Sequence, residues 1–184
     1  MKKNYLLTAL SVVTLIAAPG CKSTKVERIG VEEVRDLSGR WNDTDSQLVS
    51  REMIDDLAGR PWVESHIAEF GKKPVIVIGS IRNMSSEHIQ TETFVKDLER
   101  ELVNNGQVKF VASPNERSEI RQERKEQQIW AREETQKRLA AETGADYMLQ
   151  GGLKTIIDQE GRKQVKFYQI DMELIHLETN EKRW

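Results

Sequence analysis

Pro74-Val75-Ile76-Val77-Ile78-Gly79-Ser80-Ile81 is the stretch that decides the fold. Its four consecutive β-branched residues favour an extended backbone, because side chains branched at Cβ pack well on a pleated sheet. Apolar side chains then point to both faces of the strand, which is typical of a strand inside a sheet that is covered on both sides. We therefore predict a central strand over residues 74–81.

The segment after this strand has the pattern of a helix followed by a second strand. Phe94, Leu98 and Leu102 recur every four residues, and Asn105-Gly106 is a helix stop signal. We predict a helix from residue 89 or 91 to 104. A short strand is expected over residues 108–111.

Two helices are predicted before the central strand. Thr44 and Gln47 have the spacing of a capping box at the start of the first, which ends near Gly59. Pro61 suits the first turn of the second, and Gly71 ends it. We expect the apolar face of this second helix to consist of Trp62, Val63, Ile67 and Phe70.

The remaining half of the chain is predicted to give one polar helical region and two long strands. Residues 114–143 favour two helices or one broken helix, and residues 146–158 and 164–177 alternate as strands. Val165 and Phe167 fall out of phase with the second of these strands, which suggests a bulge or a covered second face. The order of elements predicts an α/β sandwich with a mixed sheet of four or five strands.

Composition excludes several functional classes. The chain has 184 residues, 28 basic and 30 acidic, so its formal charge of −2 gives no general attraction to nucleic acid. One cysteine excludes a disulfide scaffold and a cysteine-rich zinc site, and the three histidines form no close pair in the sequence. Length and composition therefore predict one domain without a metal or a nucleic-acid partner.

The first residues have the pattern of a bacterial lipoprotein signal peptide. A positive start, Met1-Lys2-Lys3-Asn4, precedes an apolar run of about 14 residues, too short to span a bilayer as a helix. Gly20-Cys21 resembles the lipobox cleavage site, although Ala18-Pro19 departs from the usual Leu and small residue. We predict a signal peptide over 1–20, cleavage between Gly20 and Cys21, and acylation of Cys21 with lipid such as palmitate. A plain signal peptide with an unmodified cysteine is the alternative.

The next segment is predicted to be a tether to the membrane. Residues 21–36 comprise the lipidated cysteine and a short polar stretch that reaches roughly 50 Å when fully extended. In enteric-type bacteria an Asp after the cysteine retains a lipoprotein in the inner membrane, and Lys22 stands there instead. We therefore expect a single domain over 37–184, anchored in the outer membrane and facing the periplasm.

No catalytic motif stands out in the sequence. Neither of the common phosphate-binding glycine loops occurs. Gly79-Ser80-Ile81 lacks the second glycine of a nucleophile elbow, and Asp43 and Asp45 are interpreted as helix-capping residues. We interpret His88 as a hydrogen-bonded structural residue and Gly151-Gly152 as a bulge or a close backbone approach. We predict no catalytic residue, no metal, no cofactor and no small-molecule substrate.

The one candidate binding feature is a charged segment with a tryptophan. Residues 116–138 include 13 charged residues of both signs. Such a run is either a solvated helical face or an electrostatic docking surface. In the second case Trp130 is the candidate anchor for a protein partner.

Four segments together resemble the LpoB-type penicillin-binding-protein activators. They are Leu37-Ser38-Gly39-Arg40-Trp41-Asn42-Asp43-Thr44-Asp45-Ser46, Glu87-His88-Ile89-Gln90-Thr91, Glu142-Thr143-Gly144-Ala145-Asp146-Tyr147 with Gly151, and Leu177-Glu178-Thr179-Asn180-Glu181-Lys182-Arg183-Trp184. The first segment is long and specific, whereas the others are weak individually. The resemblance extends over about residues 37–184.

This resemblance implies a function and a fold. It implies an outer-membrane lipoprotein that binds and activates a bifunctional penicillin-binding protein, a peptidoglycan synthase, and so regulates growth of the cell wall and cell shape. It also implies a three-layer α/β sandwich resembling the N-terminal domain of TolB, with helices on both faces of the sheet, and no catalytic residues. The tether of about 15 residues departs from the long Pro-rich tether of enteric members. A periplasmic accessory or assembly factor on the same TolB-like scaffold, with a different protein partner, is the alternative.

Overall fold

Helices and strands alternate along the chain. The computed structural model describes residues 39–138 and 142–184. The helices in these ranges are α1 (Asp43–Gly59), α2 (Trp62–Phe70), α3 (Thr91–Asn105) and α4 (Pro114–Trp130), and a 3₁₀ helix covers Glu133–Thr135. The strands are β1 (Val75–Asn83), β2 (Lys109–Phe110), β3 (Tyr147–Glu160) and β4 (Lys163–His176).

The strands form a four-stranded mixed sheet in the order β2-β1-β3-β4. β1 pairs in parallel with β2 and β3, whereas β3 and β4 form a long antiparallel hairpin. The β-branched run of β1 is central, as predicted, and each of its four residues is at most 6% exposed. The predicted α/β class with a mixed sheet is therefore confirmed. The likeness to the N-terminal domain of TolB stays a prediction.

The core lies between one face of the sheet and helices α1 to α3. α3 packs on β1 and β2, and α1 packs on α3. Phe94, Leu98 and Leu102 of α3 are at most 1% exposed, which confirms the predicted apolar face of this helix. They contact a common cluster with residues of the other elements, including Ile54, Leu57, Trp62, Ile76, Ile78, Tyr147, Leu149 and Leu174.

Two details of the first helices differ from the predictions. The N-cap of α1 is Asn42, whose side chain accepts hydrogen bonds from the backbone of Thr44 and Asp45, so the expected Thr44–Gln47 box is wrong. α2 begins after Pro61 and ends at Gly71, as predicted. However, Ile67 and Phe70 are 41% and 49% exposed, and His66 is buried on this helix instead.

A bulge in β1 lies opposite Gln150, next to the pair of glycines in β3. The pairing of β1 with β3 shifts between Ile78 and Ile81, where two residues of β1 oppose one residue of β3. A side chain at Gly151 would place its Cβ 2.1 Å from the carbonyl oxygen of Asp171. The interpretation of Gly151 as a site of close backbone approach is therefore correct, and the bulge is on the neighbouring strand.

The hairpin of β3 and β4 is regular along its whole length. Fourteen consecutive residue pairs, from Tyr147–His176 to Glu160–Lys163, keep one register. Val165 and Phe167 are 51% and 56% exposed. Both expectations for these residues, a bulge and a covered face, are wrong, because the hairpin extends beyond β1 and leaves this side of it in solvent.

Candidate partner-binding surfaces

Two of the four motif segments meet beside the start of α1. The Asn42 amide oxygen caps the helix, and the Asp45 carboxylate accepts a hydrogen bond from the Asn42 backbone N–H at 3.0 Å. This reciprocal cap fixes the backbone at Trp41, the residue just before it. The Trp41 ring packs against Phe94 and Tyr168, with ring centroids 5.9 and 5.7 Å away. The first motif thus ties α1 to both α3 and β4.

A hydrogen-bonded chain joins Trp41 to the second motif. The Trp41 backbone N–H donates to the Tyr168 hydroxyl at 2.9 Å, and that hydroxyl donates to the Glu87 carboxylate at 2.7 Å. Lys166 donates to the other oxygen of Glu87. Hydrogen bonds from Lys166 and Tyr168 lower the pKa of Glu87, whereas burial, followed by the bond to Glu87, raises the pKa of Tyr168. The carboxylate therefore stays charged and anchors the loop to β4.

An open cavity of about 330 Å³ lies between these two motifs. Ten residues line it: Arg40, Trp41, Asn42, Asp43, Ser46, Glu87, His88, Ile89, Gln90 and Thr93. His88 is exposed there, and its ring has no hydrogen bond to any residue in the described part of the chain, contrary to the interpretation from the sequence. Most of the lining residues are polar or charged, but apolar atoms make up the larger part of the lining surface, so the cavity offers contacts to polar and apolar groups of a partner alike.

The third and fourth motifs have structural roles at the opposite end of the hairpin. The Asp146 carboxylate accepts hydrogen bonds from the Val75 backbone and from Lys72, at 2.9 and 3.0 Å. Tyr147 is buried, and its hydroxyl lies 3.0 Å from His66 Nδ1. The Trp184 indole N–H donates to Asp56 of α1 at 2.6 Å. These residues fasten the helices to the sheet.

His66 is a buried titratable group of that cluster, as is Tyr147. His66 is 3% exposed, and burial lowers its pKa despite the Asp146 carboxylate, which lies 3.7 Å from Nε2. A neutral ring is consistent with its place among Tyr147 and Phe70. Its described contacts are with Tyr147, Phe70 and Asp146, which gives this histidine a structural role.

α4 lies on the surface of the domain. No residue of this helix is buried. Arg121 forms a bidentate pair with Glu142, and Lys96 of α3 pairs with Glu116 at 2.6 Å. Hydrogen bonds with Lys96 and Ser113 lower the pKa of Glu116 to about 2, and those with Glu116 and Glu99 raise the pKa of Lys96 to about 12.

The end of α4 carries the predicted anchor. Trp130 is the last residue of the helix and is 84% exposed, and its neighbour Ile129 is 69% exposed. The structure therefore places an aromatic and an aliphatic side chain in solvent at one helix end. Among the described residues, no hydrogen bond, ion pair or ring contact joins Trp130 to the motifs that line the cavity.

The sequence predictions missed Tyr168 and Lys166 as partners of the second motif. They lie 81 and 79 residues from Glu87 in the chain, so no local spacing indicates the contact. The only indication in the sequence was that Lys166 and Tyr168 are alternate residues of one strand and so lie on the same face of it. Gly20 and Cys21, the predicted cleavage and acylation site, lie outside the described residues.

Two kinds of site are absent from residues 39–138 and 142–184, the part of the chain that the structure describes. No group of three or more His, Cys, Asp or Glu side chains in these ranges could hold a metal ion. No helix in the same ranges is long and apolar enough to cross a membrane.

Comparison with known proteins identifies one family. A family profile described as "Peptidoglycan-synthase activator LpoB" matches residues 45–184. The LpoB C-terminal domain from Escherichia coli is similar at 15% identity and a TM-score of 0.44, covering 76% of this chain and 93% of that chain. The LpoB C-terminal domain from Salmonella enterica is similar at 17% identity and a TM-score of 0.37, covering 67% and 88%. No curated protein matches the sequence. The profile takes in every described helix and strand except the first two residues of α1.

Proposed function

The chain belongs to the LpoB family of peptidoglycan-synthase activators, and on that premise we propose that it binds and activates a bifunctional penicillin-binding protein from the outer membrane. The family profile over residues 45–184 is the observation that carries this proposal. The activator supplies no catalytic group. It acts by binding the active conformation of the synthase more tightly than the inactive one, which shifts the population toward activity.

The N-terminal residues supply the membrane anchor in this proposal. Cleavage after Gly20 leaves Cys21 as the first residue, and acyl chains on it hold the protein to the bilayer, at ~0.8 kcal/mol for each buried CH₂. Lys22 at the next position favours the outer membrane. Mass spectrometry of the N-terminal peptide of the mature protein tests this step. The expected peptide begins with acylated Cys21, and a peptide with a free thiol there contradicts it.

The end of α4 supplies the anchor for the synthase. Hot spots of protein interfaces are rich in tryptophan, and Trp130 with Ile129 offers an apolar contact surrounded by charges of both signs. The charged residues of the segment favour rapid encounter with the synthase, because rim charges affect the association rate more than the affinity. The open cavity beside Trp41 is available for a second contact with the same partner.

Binding of the mature domain to the synthases of the same organism tests the proposal. The chain Lys22–Trp184 contains the compact unit Val34–Trp184 complete and omits the signal peptide and Cys21. We expect it to bind at least one immobilised bifunctional synthase saturably. If a domain that is folded by circular dichroism binds none of them, the activator proposal is wrong.

A further inference from the structure

Three arginines of α4 surround a single carboxylate. Arg117, Arg121 and Arg124 follow one another at intervals of four and three residues, so they lie on one side of the helix. Their side-chain nitrogens lie 3.8, 2.7 and 3.6 Å from the Glu142 carboxylate. We call these three residues the arginine cluster. Its three positive charges meet one negative charge, which leaves an excess of two positive charges.

Glu142 does not satisfy the hydrogen-bonding groups of the whole cluster. Arg121 alone donates to both oxygens of this carboxylate, at 2.7 and 2.8 Å. The distance of 3.6 Å from Arg124 Nη1 to the same carboxylate is too long for a hydrogen bond. Arg117 Nε and Arg124 Nη1 are buried, and neither has a hydrogen-bond partner in the part of the chain that the structure describes. Buried donors in proteins are nearly always paired, so these two nitrogens are suited to a ligand.

The other carboxylates of α4 do not neutralise the cluster. Glu116 is bound by a lysine of α3, and Glu123 and Glu126 accept hydrogen bonds from glutamine side chains of α4. The helical period places Glu119, Glu123 and Glu126 on the side of α4 away from the arginines. Within residues 39–138 and 142–184, only Glu142 is within ion-pair distance of the cluster.

An open cavity of about 200 Å³ lies beside two of the arginines. Its polar lining comes from Arg117, Arg124, Glu142 and Thr143. Arg121 is not part of the lining, which agrees with its engagement by Glu142. The cavity is larger than a phosphate group, and the hydroxyl of Thr143 offers one more hydrogen-bond donor.

We propose that this cavity binds a phosphate group through Arg117 and Arg124. A guanidinium group binds phosphate well, because its planar set of N–H donors matches the oxygens and both partners are charged. The oxygens of a phosphate group point in tetrahedral directions, so separate oxygens can accept from the two arginines and from Thr143. A doubly charged phosphate group also balances the two excess positive charges. The group belongs to a soluble molecule or to a lipid headgroup, and the site does not depend on synthase binding.

NMR of the arginine side chains tests whether the cavity binds the anion. The Nε–H signal of Arg117 is followed in Lys22–Trp184 while inorganic phosphate or pyrophosphate is added, with sodium chloride at equal ionic strength as the control. Arg117→Lys keeps the positive charge but removes this Nε–H, so it assigns the signal. We expect a saturable shift with phosphate and pyrophosphate and none with chloride. An equal shift with chloride overturns the proposal.

Vesicles distinguish the two sources of the phosphate group. Lys22–Trp184 is sedimented with vesicles of phosphatidylcholine mixed with phosphatidic acid, and with phosphatidylcholine alone as the control. Binding of the soluble probes supports the proposal by itself. Binding only to vesicles with phosphatidic acid, with its loss in Arg117→Gln, assigns the site to a lipid headgroup. No response to phosphate, to pyrophosphate or to phosphatidic acid overturns the proposal.

Two changes of charge with opposite expected effects separate a phosphate site from general attraction of anions. Arg124→Gln removes a donor and is expected to weaken binding of the responding probe about tenfold. Glu142→Gln removes the negative charge beside the cavity and is expected to strengthen binding about fivefold. Lys125→Gln, at an exposed position of α4, is the matched control for Arg124→Gln and is expected to bind normally.

Calorimetric titration measures the three affinities for a soluble probe, and sedimentation measures them for vesicles. Circular dichroism establishes that each variant is folded. Equal weakening by Arg124→Gln and Lys125→Gln overturns the proposal, because it would show attraction by net charge alone. Weaker binding by folded Glu142→Gln also overturns it, because the arginines would then need this carboxylate to form the site.

Discussion

α3 and α4 are helices of similar length that are held in place by different forces. α3 has 15 residues, four of them buried, and its N-cap Gln90 makes no side-chain capping bond. α4 has 17 residues, none of them buried, and begins with Ser113 and Glu116 in a complete capping box. Tertiary packing therefore stabilises α3, whereas local hydrogen bonds and surface ion pairs stabilise α4. Because no side chain of α4 is buried in the core, the side chains of this helix can contact a partner.

The largest expected difference between α3 and α4 is in how much each contributes to the free energy of unfolding. Leu98→Ala in α3 removes a fully buried side chain and is expected to lower the free energy of unfolding by about 2–5 kcal/mol. Ile129→Ala in α4 is the matched control and is expected to change it by about 0.5 kcal/mol or less. Urea titrations of both variants measure the difference. Similar losses in the two would mean that α4 also contributes to the core.

The second expected difference between α3 and α4 is in their contribution to the affinity for the synthase. Trp130→Ala is expected to weaken the proposed synthase complex by about 2 kcal/mol, or roughly thirtyfold, because it removes the aromatic anchor. Val103→Ala, on the exposed side of α3, is the control and is expected to bind normally. Both should unfold at the same denaturant concentration as the unchanged domain. Normal binding by Trp130→Ala would remove this residue from the interface.

Helices α3 and α2 differ in how much of their buried face the sequence predicted. The four-residue spacing of Phe94, Leu98 and Leu102 predicted both the helix α3 and its buried face, because packing on a core imposes that period. In α2 the same reasoning selected Ile67 and Phe70. The structure buries His66 instead, where the hydroxyl of Tyr147, 81 residues away, forms a hydrogen bond with its Nδ1.

The candidate site was less accessible to prediction than the fold. Sequence reasoning singled out Trp130 by its charged surroundings, and its exposure agrees with a contact role without testing it. The hydrogen bonds that link Trp41, Tyr168 and Glu87 were not predicted from the sequence, because these residues come from three distant segments. Short-range patterns predict helices and turns, whereas hydrogen bonds between distant segments depend on the assembled sheet.

The capping box offers a smaller test of how α4 is stabilised. Ser113→Ala removes the side chain that accepts a hydrogen bond from Glu116 N–H, at an expected cost of about 1 kcal/mol. We expect faster amide hydrogen exchange in α4 and little change in α3. The parallel change Gln90→Ala before α3 breaks no capping bond and should leave exchange in both helices as it was. Equal protection of α4 with and without Ser113 would contradict local stabilisation.

The smallest effect concerns the ion pair between the two helices. The folded domain holds the pKa of Glu116 at about 2, below that of the unfolded chain, so the pair stabilises the fold fully above about pH 5. This contribution is lost as the pH falls from about 5 to 2. Both side chains are largely exposed, so solvent screening limits it to less than about 1 kcal/mol. Glu116→Gln should remove that part of the acid dependence measured by urea unfolding, and an unchanged pH profile would exclude the pair as its source.

The rate of glycan polymerisation by a purified synthase tests the central claim most directly. Rising amounts of Lys22–Trp184 are added at a fixed synthase concentration, with Trp130→Ala and Val103→Ala as the paired variants. The family assignment and the exposed end of α4 predict a saturable increase in rate, half-maximal at the dissociation constant measured by binding, and shifted to higher concentration only by Trp130→Ala. A rate that stays constant while the folded domain is bound to the synthase would contradict activation.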